Sequence, residues 1–105
     1  MAVQPEKTTV LDLLGSMTMN SLEATSLDPQ TVLLVRIAAL VAVDAAPASY
    51  LMNLRFAGEA GVTEEQVEGL LAAVAPIVGT ARVVSATSKL VRALDLKIDL
   101  QELGE

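Results

Sequence analysis

Residues 32–43, VLLVRIAALVAV, are apolar at every position but Arg36. A run of this length with no turn residue reads as a helix, and a helix apolar all round must be covered on all sides. It falls well short of the roughly 20 residues a membrane span needs, so it reads as a buried helix. Asp44-Ala45-Ala46-Pro47 then breaks it, and a second helix carries Ser49, Tyr50, Asn53 and Arg55 towards Gly61. This helix–break–helix corner, residues 31–61, is where a site is expected. A small chain has few elements with which to cover the first of these helices. Part of its surface is therefore expected to meet another subunit.

The chain has 105 residues, 52% hydrophobic and only 2% aromatic, with one Phe and one Tyr. A core built from Ala, Val, Leu and Ile, with no run alternating apolar and polar residues, predicts an all-α fold in one domain. The net charge is −6 and the seven Lys and Arg are scattered, so neither nucleic acid nor an anionic membrane is an expected partner. There is no cysteine and no histidine. Disulfides, thiolate chemistry, imidazole metal ligands and every His-dependent triad are thereby excluded. No cofactor and no metal are expected. Residues 1–9 lack a hydrophobic segment of the secretory type, and the expected location is cytoplasmic.

About five helices follow in order. A flexible arm is expected over residues 1–7. Thr8 or Thr9 then caps a first helix to about Glu23, with Val10, Leu13, Leu14, Met17 and Leu22 as its apolar stripe. Asp28 is the expected N-cap of the second helix, with Pro29 at its first position. Pro47 restarts the chain as a third helix, which Gly61 ends in the left-handed conformation. Thr63 and Gln66 form a capping box for the fourth, which ends near Pro76. The fifth runs from Thr80 to about Leu94, buried through Val83, Val84, Ala86, Leu90, Val91 and Leu94. The tail, residues 95–105, alternates Leu and Ile with charges.

Four side chains are candidates for a site. Arg36, alone in an apolar run, needs a carboxylate, and Asp44 stands eight positions on along the same side; its functional reading is an anion clamp for a carboxylate ligand. Asn53 offers an amide donor and acceptor to a ligand, or to neighbouring backbone. Ser49 has no base to activate it, and reads as a first-turn residue or a ligand contact. Tyr50 is either a packed ring or a phenolic acid. Glu59, Glu64, Glu65 and Glu68 gather around one turn, but the helix dipole accounts for Glu64 and Glu65.

Three segments in this order carry a resemblance: LDPQTVLLVRIAAL (residues 27–40), AGEAGVTEEQ (57–66) and LAAVAPIVG (71–79). Over residues 27–94 the chain resembles the carboxymuconolactone decarboxylase family, which includes the alkyl hydroperoxidase D-like proteins. The resemblance implies an all-α fold assembled into trimers or hexamers. It also implies a Cys-x-x-Cys-x-x-x-His motif in the hydroperoxidase branch. Counted back from Gly61, the two cysteine positions fall on Ala46 and Ser49 and the histidine on Asn53, with an upstream glutamate near Leu34. The decarboxylase branch also expects a histidine at Asn53. All four positions are changed, and peroxide reduction has neither nucleophile nor resolving thiol. Two readings follow. One is a non-catalytic oligomer, a pseudoenzyme binding a small carboxylate or apolar ligand, or a protein, through Arg36, Ser49 and Asn53. The other is a divergent cofactor-independent lyase that uses Arg36, Tyr50 and Asn53 to polarise a carbonyl.

Overall fold

A computed structural model describes the backbone of residues 3–103 and the side chains of residues 9–94. Five helices follow one another: α1 (Val3–Ala24), α2 (Pro29–Ala42), α3 (Pro47–Glu59), α4 (Glu64–Val78) and α5 (Thr80–Leu103). The described residues include no strand. Helix α3 packs most extensively on α5, and α2 lies against α3, α4 and α5. No helix among the described residues is long and apolar enough to cross a membrane.

The helix ends follow local chemistry. Asp28 Oδ1 accepts from the Thr31 amide at 2.8 Å with Pro29 in the first turn, as its sequence predicts. The capping box at α4 is complete. The Gln66 amide donates to Thr63 Oγ1 at 3.1 Å, and Gln66 Oε1 accepts from the Thr63 amide at 2.9 Å. Gly61 has φ 86°, with Val62 N–H bonding Ala57 C=O at 2.9 Å and Gly61 N–H bonding Gly58 C=O at 3.1 Å. That pair of bonds closes the end of α3 as a Schellman motif.

Helix lengths depart from expectation in three places. Helix α1 begins at Val3, before the Thr8 or Thr9 cap, and the arm expected over residues 1–7 carries side chains outside the described set. Helix α4 continues past Pro76 to Val78, because a proline in the last turn forfeits a single backbone bond. Helix α5 runs on to Leu103, and the side chains of its last residues also lie outside the described set.

The core gathers Val32, Leu33, Ile37 and Val41 of α2, Tyr50, Leu54 and Ala57 of α3, and Ala86, Leu90 and Ala93 of α5. Helix α2 is therefore buried along one face only. Val35 and Ala39, on the opposite side, are exposed. Helix α5 was expected to bury Val84 and Val91, but these are 62% and 55% exposed. They stand seven residues apart, on the side opposite Ala86 and Ala93, so one helix cannot bury both stripes against the same neighbour.

Candidate functional site

The α2–α3 corner is held by a residue in an unusual conformation. Asp44 is the single non-glycine residue with positive φ, at 54°, among the described residues. Its amide bonds Val41 C=O at 3.2 Å, and the Ala45 amide bonds Leu40 C=O at 3.0 Å. This is again a Schellman closure, with aspartate where glycine is commonest. The side chain accounts for the choice. Asp44 Oδ1 accepts from Ser85 Oγ at 2.7 Å and from Lys89 Nζ at 2.9 Å, both on α5. Arg82 Nη1 donates to Ala42 C=O at 2.9 Å. Helix α2 has no base in its last turn, and two bases from α5 stand in at its negative end. The Ser85 hydrogen bond first, and then that from Lys89, hold the Asp44 carboxyl below the usual aspartate range.

This corrects one expectation. Arg36 does not pair with Asp44, because α2 ends at Ala42 and the left-handed turn points the carboxylate at α5. The latch also has a testable sign. A carboxyl with a depressed folded pKa contributes stability above its unfolded pKa and loses it as pH falls towards the folded value. Asp44→Asn is expected to flatten the acid limb of a stability–pH curve measured by chemical denaturation. Asp44→Ala is expected to cost more than Asp44→Gly, since a Cβ in the left-handed region costs roughly 1–2 kcal/mol that glycine avoids. Equal losses would show that the carboxylate alone matters.

Arg36 turns the other way. Its Nη2 donates to Ser21 Oγ at 3.0 Å, and among the described residues no carboxylate lies within ion-pair distance. The arginine lines a groove of about 410 Å³ where the end of α1, the start of α2 and the end of α3 meet. Leu22, Leu27, Val32, Leu33 and Phe56 form its apolar walls, and Glu59 also lines it. Phe56, the single phenylalanine, carries no signal in the sequence beyond its uniqueness.

The other candidates lie elsewhere. Ala46 caps α3, with Ser49 and Asn53 one and two turns on, along one face. Asn53 Nδ2 donates to Ser49 C=O at 2.9 Å, so its amide is engaged by its own helix. Ser49 is exposed and Leu34 half-buried. The Tyr50 ring is 0% exposed and its hydroxyl has no partner among the described residues. Burial, and then the negative charge of Asp44, raise its pKa above the ordinary tyrosine value. Ser49, Tyr50 and Asn53 do not line the Arg36 groove. Arg36, Tyr50 and Asn53 therefore do not converge there on one substrate position.

A second groove of about 320 Å³ runs between α3, α4 and α5 over Leu54, Val67, Leu71 and Leu90, with Glu64 and Glu68 beside it. Among the described residues no three His, Cys, Asp or Glu side chains gather as a metal site.

Comparison with curated proteins finds no match, and comparison with solved structures finds none. A family model described as the carboxymuconolactone decarboxylase family matches residues 9–92, which takes in most of α1 as well as the corner, α4 and the first half of α5. With that match covering most of its length, the chain belongs to the carboxymuconolactone decarboxylase family.

Proposed function

We propose that this chain is a cytoplasmic, non-catalytic member of its family that assembles as a homo-oligomer and binds a small apolar carboxylate at the Arg36 groove. The observation that carries the reading is Arg36 itself. A guanidinium held by one neutral hydroxyl, on the wall of a mostly apolar groove, keeps donors for a carboxylate. The groove volume of about 410 Å³ lies within the range typical of small-molecule sites. The absence of cysteine and histidine, and the engagement of Asn53 by its own helix, support binding without turnover.

The test is calorimetric titration of the purified protein with octanoate and with octanol. Octanoate is expected to bind and octanol to bind more weakly. Arg36→Gln should weaken octanoate about tenfold or more, given roughly 1.5–3 kcal/mol for hydrogen bonds to a charged group. Equal affinity of Arg36→Gln and the parent for octanoate would refute the clamp. Light scattering on the same sample tests assembly, and a monomeric mass would refute it.

A further inference from the structure

Helix α1 has 22 residues, is about 33 Å long by helical rise, and among the described residues no other helix packs extensively along it. Its last turn meets the body through Leu22 and the Ser21–Arg36 bond. Val10, Leu13, Leu14 and Met17 recur at helical spacing on one side, each more than half exposed. Asp12, Ser16 and Glu23 share the other side with exposed Leu11 and Met19, so the four-residue stripe is the continuous apolar face of α1 and it is uncovered. A second uncovered apolar face lies on α2, where Val35 is 53% exposed, Ala39 is exposed, and Val43 just past the helix end is 69% exposed.

We infer that α1 is an exchanged arm: its Val10–Leu13–Leu14–Met17 face lies on the Val35–Ala39–Val43 face of α2 in a second copy of this chain. The inference rests on the homo-oligomer proposed above and names the surfaces that make it. Several features favour a second copy over an unrelated partner. With Gly15, Asn20 and several serines and threonines along it, α1 is a weak helix former without packing, so its cover must be present whenever the protein is folded, and another copy always is. The chain carries −6, and copies that meet must do so where like charges are sparse. Both faces carry no charge. Long side chains on α1 facing Ala39 on α2 allow close approach of the two helices. A reciprocal exchange forms the α1–α2 contact twice per pair of copies, each face being buried once, which adds towards the standard interface of roughly 800 Å² per partner. Pairing of α1 with another α1 would leave the α2 face open.

The chain lacks cysteine, so introduced thiols report without background. Leu14→Cys and Ala39→Cys chains, one of them isotopically heavy, are mixed at full length, allowed to exchange and oxidised. The disulfide-linked species are then read by mass. Met17→Cys with Val35→Cys repeats the experiment, should one variant fold poorly. A mixed Leu14→Cys/Ala39→Cys dimer as the main product, absent from either variant alone, supports the exchange. If the parent is oligomeric but Leu14→Cys links to itself, or neither pair links, the exchange is wrong and the oligomer stands. A monomeric parent overturns both.

Discussion

Tyr50→Ala is expected to lower unfolding free energy by about 3–5 kcal/mol, the range for removing a large buried ring. Tyr50→Phe is expected to leave stability unchanged or raise it by about 1 kcal/mol, because the hydroxyl it deletes has no partner. The ring is fully enclosed in the same core cluster as Ile37 and Val41, the other large side chains with no exposure. Few aromatic residues share the load, so little else can fill the space that alanine would leave. The two variants separate packing from chemistry, since a working phenol would lose its role in both. The sign of the alkaline response follows from the raised pKa. Stability is fully present below the unfolded tyrosine pKa of about 10 and is lost as pH rises through the higher folded value. As the sole tyrosine, Tyr50 can be followed by its phenolate absorbance. A midpoint below that of free tyrosine would contradict the enclosed ring.

The second large effect concerns α1. Leu13→Asp combined with Met17→Asp places two charges on the uncovered face. The expected result is a fall in mass to the single-chain 11.0 kDa, read by light scattering. A loss of helical signal by circular dichroism should accompany it, because α1, rich in weak helix formers, depends on packing. A charge at an interface core is costly in a way that a charge on a solvated face is not. If mass and helicity are both unchanged, the α1 face is solvent-facing in the assembled protein and the arm account fails.

Local signals were the legible part of the fold. Asp28 with Pro29, Thr63 with Gln66, and Gly61 each act within four residues of themselves, and each sits where its chemistry predicts. The pattern of buried positions was legible on one side of α2 but not its limit, since apolar residues all round do not say which face the chain itself can reach. The partners of charged groups were not legible. Asp44 and Arg36 share a side on paper, but a left-handed residue reverses the chain and hands Asp44 to Ser85 and Lys89, 41 and 45 positions away. Arg36 meets Ser21, whose hydroxyl gave no hint of a partner. The missing cysteine and histidine were legible at once, because their absence needs no coordinates.

The proposed function is that of a family scaffold that binds without turnover. Incubation of the purified protein with an organic hydroperoxide plus a thiol reductant, and separately with 4-carboxymuconolactone, tests it most directly. The account predicts no consumption of either above the buffer rate. Turnover that Arg36→Gln or Tyr50→Phe abolishes, with mass and stability unchanged, would contradict it.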